Sequence, residues 1–412
     1  MIFYSDSDTI RVRSPVAQLV EQVAVNHRVA GSNPARGAKP TLNKQIFWPG
    51  FMLKCGNANR TFLGGLMPKV QLIVRSRAPV RICDLGGWTD TWFAKFGTVF
   101  NIAVAPTVEV QIITQSEPNI EVFAENFGYR FRYDPKVRSK HPLIDACIER
   151  AKLPKDLGLK VAVYSRVPGG ASTGTSAAVG VALLAALHRL KSDASLTPAI
   201  LAKEAHAVET EMLGQQSGIQ DQLAAAFGGI NLIEMSDYPS NTVSRITLST
   251  DIRNELNSRL LLFYLGKPHS SSEIHLKVIN ELEGIGPNDT RLEGLRMAAK
   301  AGAAAVRRGD LGALGEALLL NVENQAALHH ELVSPHAHKI FSIARKHHAL
   351  GWKVNGAGGD GGSVTILCGE DLSEKRKMVE EILSALPGTS EIPVEIANHG
   401  ATAWTTPSDH KF

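Results

Sequence analysis

Beyond Met67 the hydrophobic positions change period repeatedly, and each change marks an expected element. β-Branched alternation over residues 70–74 predicts a strand. The runs Asn101-Ile102-Ala103-Val104-Ala105 and Val108-Glu109-Val110-Gln111-Ile112-Ile113 predict two more, separated by Pro106. Residues 121–133 read as a hairpin, 143–152 as a helix and 159–164 as a further strand. Over 176–190 Ala, Leu and Val dominate without a proline, which predicts a helix buried on all sides. A helix with one polar face over 198–213 and a strand over 227–233 follow.

The composition shifts at 236–249, a linker or an edge hairpin. A strand at 260–265 and helices at 292–307 and 311–330 come next. The remaining chain alternates: helix 335–348, strand 351–354, a glycine loop, strand 363–367, helix 372–385 and strand 394–398. This order predicts an α+β protein of two stacked domains, 67–245 and 246–412, with no repeat period.

Composition adds limits. The 412 residues suffice for two cores, and 44% hydrophobic with 20% charged residues is ordinary for a soluble globular chain. No apolar run reaches the roughly 18 residues of a membrane span and the start does not read as a signal peptide, so the expected location is cytoplasmic. The formal charge of +4 sits at the front: residues 1–66 carry eight Lys/Arg against three Asp/Glu, leaving the rest near neutral. A near-neutral body has no electrostatic footprint for nucleic acid, and the expected partner is a small molecule. Cys55, Cys83, Cys147 and Cys368 form no CxxC pair and read as buried free thiols.

The opening 66 residues lack a sustained period and mix Pro, Gly and Asn irregularly. Residues 14–38 resemble the conceptual translation of a transfer-RNA gene. Ala30-Gly31-Ser32-Asn33-Pro34 can be encoded by a T-arm-like sequence, and Ala17-Gln18-Leu19-Val20-Glu21 by a D-arm-like one. The expectation is a non-native or disordered extension, with the working protein starting near Met67.

Three segments carry candidate chemistry. Pro168-Gly169-Gly170-Ala171-Ser172-Thr173-Gly174-Thr175-Ser176-Ala177-Ala178 lies between a predicted strand and the buried helix. Glycines let backbone N–H groups approach an anion, the helix start adds partial positive charge, and Thr175 and Ser176 offer hydroxyls to phosphate or Mg²⁺. The Walker lysine is missing, which argues against a P-loop. In Arg81-Ile82-Cys83-Asp84-Leu85-Gly86-Gly87-Trp88-Thr89-Asp90, the glycine pair permits an unusual turn. Trp88 offers an apolar face to a sugar ring, and Asp90 can accept hydrogen bonds from vicinal hydroxyls. Gly356-Ala357-Gly358-Gly359-Asp360-Gly361-Gly362 satisfies GxGxxG, but a strand follows where a Rossmann helix should start.

Together these segments resemble the three ordered motifs of the galactokinase–mevalonate kinase (GHMP) superfamily, over about residues 70–410. Pro168, Gly174, Ser176, Ala177 and Ala178 match its second motif, while Ser172 and Thr173 stand where it has Gly and Leu. The Gly86–Asp90 run resembles the version in fucokinase-like and heptose-phosphate kinase proteins. The resemblance implies a ribosomal-protein-S5-like first domain and a ferredoxin-like second, with ATP and Mg²⁺ as cofactors. It implies Asp221 as catalytic base and Arg81 beside the reacting hydroxyl. Gly87, Trp88 and Asp90 would face the sugar or sugar-phosphate substrate. ATP would lie against Pro168, Gly169, Gly170, Ser172, Gly174, Thr175, Ser176, Gly356, Gly358 and Gly359. Ser176 and Glu209 would hold the metal, Glu211 being the nearby competitor of Glu209.

The implied activity is phosphoryl transfer from ATP to a sugar or sugar-phosphate hydroxyl, possible acceptors being heptose 7-phosphate at the anomeric position or, in a fucokinase- or galactokinase-like 1-kinase, a free sugar. A sugar sensor that has lost turnover and an isoprenoid diphosphate decarboxylase are the alternatives. The histidines at 329, 330, 336, 338, 347 and 348 have no metal-binding spacing and read mostly as solvated helix residues.

Overall fold

The computed structural model describes residues 71–407 apart from 138, 193–195, 269, 270 and 283. The reading of residues 1–66 and Cys55 lie outside the described residues. Lys69–Phe412 forms one compact unit.

The first half runs β1 (Leu72–Leu85), β2 (Gly97–Gln115), β3 (Ile120–Ala124), β4 (Tyr129–Arg132), α1 (Pro142–Ala151), β5 (Gly158–Ser165), α2 (Thr175–Lys191), α3 (Pro198–Ala207), α4 (Gln220–Phe227), β6 (Ile230–Asp237) and β7 (Ser240–Ile246). The second runs α5 (Thr250–Arg259), β8 (Leu260–Tyr264), α6 (Ser271–Leu282), α7 (Thr290–Arg308), α8 (Leu311–Leu328), α9 (Pro335–Lys346), β9 (Gly351–Val354), β10 (Ser363–Leu367), α10 (Leu372–Ala385), β11 (Ser390–Ile392), β12 (Glu395–Ile396) and β13 (Thr402–Pro407).

One sheet has the order β13-β1-β2-β5-β3-β4, with β6 and β12 on β2 and β7 on β6. The other has the order β11-β8-β10-β9. β2 organises the first sheet because it is long enough to change neighbours: residues 97–102 pair with β6 and 108–115 with β5. The two strands expected around Pro106 are one. The β1–β2 register slips between Pro79 and Val80, so Pro106 sits in a bulge where its missing N–H costs no ladder bond. The chain's last strands return to the first sheet, β12 on β2 and β13 on β1.

Helix α2 is buried from Ala177 to Leu187 apart from half-buried Ala185 and packs on the first sheet, as its unbroken apolar run predicts. α9 and α10 cover the second sheet, where Phe341, Trp352, Ile366 and Ile382 meet. A third cluster joins Trp88 and Phe93 of the turn after β1 to Val278, Ile279 and Leu282 of α6 and Leu292 and Leu295 of α7. This cluster fixes where that turn lies.

Period alone missed several elements. α5 buries only Leu256 and Arg259, so it has no apolar stripe to read; Ser249 caps its start. β11 and β13 are short strands at sheet edges, and α4 is a single short helix inside a stretch to which period assigned no element. The helix expected over 198–213 is α-helical only to Ala207; a π-helical turn, Val208–Met212, completes it. Cys83, Cys147 and Cys368 are buried free thiols. Of the histidines, 330, 338 and 348 are exposed, whereas 329, 336 and 347 are half-buried. Among the described residues no group of His, Cys, Asp and Glu is arranged to hold a metal by itself.

Candidate active site

The end of β1 carries Arg81 and Asp84, and the chain then turns sharply through Gly86–Asp90. Thr89 Oγ1 donates to the Gly86 carbonyl (2.7 Å) and Thr91 Oγ1 to that of Trp88 (2.7 Å), which closes the turn. Asp221 enters from the first turn of α4, where a carboxylate is favoured by the helix dipole. Arg81 grips it with two bonds, Nε to Oδ1 at 2.8 Å and Nη2 to Oδ2 at 3.1 Å. The guanidinium also donates through Nη1 to the Ser172 carbonyl, and the Arg81 amide to Thr173 O at 2.9 Å. The first and second motifs are thus tied through one side chain.

Gly174 caps α2 at φ +69°, and a Cβ there would lie 3.1 Å from Asp221 Cγ. The opening N–H groups of α2, which have no partner within the helix, therefore start next to the Arg81–Asp221 pair. Ser172 has a φ of +57°, in the left-handed region that favours glycine. That explains why the family motif has Gly where this chain has Ser.

Glu209 and Glu211 separate cleanly. The π-helical turn points Glu209 inward, where its carboxylate accepts from Ser176 Oγ (3.2 Å), Ser217 Oγ (2.9 Å) and Gln222 Nε2 (2.7 Å). Glu211 is exposed and lies 3.8 Å from Arg150. Burial pushes the Glu209 carboxyl up to about 7; the Ser217 hydrogen bond opposes this and the nearby charge of Asp221 adds to it.

Asp90 is also buried. Its Oδ2 accepts from the Gln220 amide (3.0 Å), and Gly218 is packed so tightly on it that a Cβ would stand 2.0 Å from that oxygen. Burial raises Asp90 to about 6, partly offset by the Gln220 bond.

These groups share one cleft of about 640 Å³, lined by Arg81, Asp84, Gly87, Trp88, Asp90, Glu209, Asp221, the loop residues Gly170, Ser172, Gly174, Thr175 and Ser176, and Gly356. Of the residues singled out in the sequence, Pro168, Gly169, Gly358 and Gly359 are not in its lining. Gly358 and Gly359 pack on the Leu332 backbone, Gly359 N donating to Leu332 O at 2.9 Å. Gly169 borders a second hollow of about 170 Å³, which shares Gly170, Thr175 and Ser176 with the cleft and is mostly walled by Leu143, Ile144, Val163, Val167 and Val179.

Sequence reasoning gave no role to Asp84 or Lys353. Lys353 Nζ donates to Asp84 Oδ1 at 2.7 Å with both side chains 1% exposed, and Gly356 N donates to Asp84 Oδ2 at 2.9 Å. The only available signal was a lysine inside the otherwise apolar run Gly351-Trp352-Lys353-Val354.

Two family models match this chain. The GHMP kinases N terminal domain matches residues 142–229, and the GHMP kinases C terminal domain matches residues 303–388. The chain is a GHMP-family kinase.

Its relatives are distant. It is 24% identical over 298 residues to the D-glycero-alpha-D-manno-heptose 7-phosphate kinase of Campylobacter jejuni, covering 70% of this chain and 87% of that one. It is 24% identical over 352 residues to the Arabidopsis thaliana bifunctional fucokinase/GDP-fucose pyrophosphorylase, covering 78% of this chain and 32% of that one. A mevalonate kinase of Thermococcus sibiricus is 28% identical over 256 residues, 61% of this chain and 72% of that one. The crystal structure of a D-glycero-D-manno-heptose 1-phosphate kinase from Bacteriodes thetaiotaomicron superposes with a TM-score of 0.64 at 22% identity, covering 80% of this kinase and 98% of that chain. The two-domain α+β fold of the GHMP kinases is therefore the fold of this protein.

Proposed function

We propose that this kinase transfers the γ-phosphoryl group of ATP to a hydroxyl of a sugar or sugar phosphate. The observation that carries the reading is the two-bond Arg81–Asp221 pair lying in the same cleft as the glycine-rich start of α2. A carboxylate facing the cleft takes the proton from the attacking hydroxyl, and the guanidinium beside it steadies the charge that grows on the transferred group. Phosphoryl transfer asks for little else than positioning and charge stabilisation.

Asp90 and Trp88 would hold the sugar ring. Asp90 presents a carboxyl to paired hydroxyls, and the turn that bears it is clamped by Gln220 and by the apolar cluster under Trp88. ATP fits two features: phosphates against the α2 start and its glycine loop, and a base in the adjacent apolar hollow. The donor set of Glu209 and Ser176 fits Mg²⁺, which takes oxygen ligands, few carboxylates and phosphates. A carboxyl whose charge burial disfavours is also one that a cation would stabilise. When bound, the ion would neutralise phosphate oxygens.

The Gly-Gly-Trp-Thr-Asp turn and the sugar-kinase relatives favour a heptose 7-phosphate or a fucose- or galactose-like acceptor over mevalonate. ADP release measured across a panel of free sugars, sugar phosphates and mevalonate tests this. Turnover confined to sugars supports it; turnover on mevalonate alone, or tight sugar binding with no ADP formed, overturns it.

A further inference from the structure

The Arg81 guanidinium stands between two carboxylates. Asp221 holds it at 2.8 and 3.1 Å, while Asp84 Oδ2 is 3.8 Å from Nη2. Both acids are within reach of one cation, and Asp84 is the more deeply buried. A buried carboxylate with no cation of its own is costly and recruits the nearest one. Asp84 feels the Arg81 charge but makes no hydrogen bond to it, staying 3.8 Å away, because its oxygens are already taken, Oδ1 by Lys353 Nζ and Oδ2 by the Gly356 amide.

Lys353 belongs to β9 of the second sheet and Asp84 to β1 of the first. The ammonium is held in turn by the Val354 carbonyl at 2.6 Å. Charges therefore alternate from Lys353 to Asp84, Arg81 and Asp221, each neutralised by the next.

We propose that Lys353 is a positioning residue: by satisfying Asp84 it reserves the Arg81 guanidinium for Asp221. The proposal rests on the kinase reading for its effect on turnover, though not for its geometry. Without the lysine, Asp84 draws Arg81 by its Nη2 edge, the pair with Asp221 opens, and the carboxylate in the cleft loses its partner. Removing both charges leaves no competitor, and Arg81 returns to Asp221.

Crystal structures and steady-state kinetics of Lys353→Met, Asp84→Asn and Asp84→Asn/Lys353→Met test this. In Lys353→Met, Arg81 should sit on Asp84, with kcat down about 100-fold and the KM for ATP within about threefold, as expected for a shift near 1 Å at the reacting groups. The double variant should show Arg81 on Asp221 and a kcat at least about tenfold above that of the single, a recovery that a structural role for the ion pair does not give. Arg81 unmoved in folded Lys353→Met, or a double variant as slow as the single, overturns the proposal. Should Lys353→Met not fold, Asp84→Asn decides. Arg81 on Asp221 with kcat within about tenfold of wild type supports it, and a larger loss in a folded protein overturns it. If the wild type releases no ADP with any sugar, the kinase reading fails, while the place of Arg81 in Lys353→Met still decides the geometry.

Discussion

Two clusters of charge in this molecule use the same chemistry in opposite surroundings. Lys353, Asp84, Arg81 and Asp221 alternate across the meeting of the two sheets, the last three lining the cleft and the first three almost wholly buried. On the outer helices α9 and α10, His347 lies between Glu374 (2.9 Å) and Glu381 (2.8 Å), with Lys346 and Lys377 completing the ring in solvent. The surface ring staples two helices and is screened by water, so its members are worth little individually. Within the buried chain, desolvation works against every charge. Burial alone would raise Asp84, yet Arg81 and Lys353 hold its carboxyl below the usual range. Such a chain is a poor way to gain stability. Its use is direction: it fixes which atoms of Arg81 meet which acid.

Perturbing the cleft should therefore change chemistry, and perturbing the ring should change only stability. The largest effect is expected for Asp221→Asn, which should lower kcat by roughly 10³-fold while ATP affinity stays within about threefold. Wild-type-like turnover in that variant would remove Asp221 from the mechanism.

Gly218→Ala comes next. Its new methyl has only 2.0 Å to Asp90 Oδ2, so the turn must shift. The KM for the sugar should rise about tenfold or more with ATP affinity unchanged. An unaltered sugar KM would separate Asp90 from substrate binding.

Asp90 also sharpens the contrast through pH. Folding lifts it from 3.8 to about 6, so the folded state favours the protonated form. Its contribution is full below about pH 4 and is lost as pH rises through 6, a span of about 3 kcal/mol. The melting temperature of Asp90→Asn relative to wild type should climb between pH 4 and pH 8. A constant difference would count against a raised carboxyl.

Ser172→Gly should stabilise the protein by about 1 kcal/mol by relieving a left-handed serine, read as a higher urea midpoint. A lower midpoint would mean that the serine side chain contributes more than its backbone strain costs.

The smallest effect belongs to the ring. Hydrogen bonds and charge from Glu381 and Glu374 raise His347. Its stabilisation is present below pH 6.5 and fades as pH rises through its higher folded value. The stability gap between wild type and His347→Ala should shrink on going from pH 6 to pH 9, with kcat unaffected at either end. A change in kcat would link the two clusters after all.

How much of this was legible in the sequence depends on whether the signal was local. The run from Ala177 to Leu187 announces a buried helix because every face is apolar, and β9, β10 and α10 were readable from period to the residue. α5 was not, since a helix that buries two residues leaves no stripe. In the site, Arg81, Asp90, Glu209 and Asp221 could be named because they lie within recognisable motifs. The choice between Glu209 and Glu211 could not be made, for it depends on a π-helical turn that aims one inward and the other at Arg150.

By itself the sequence determined the helices and strands whose burial leaves a clear period, and which three glycine-bearing segments carry polar chemistry. Those properties follow from the order of residues along the chain. Tertiary structure alone decided that Lys353 meets Asp84 across 269 positions of sequence and that Arg81 faces Asp221 across 140. Charge pairing acts through distance in space and through burial, and neither quantity is defined until the two sheets have packed.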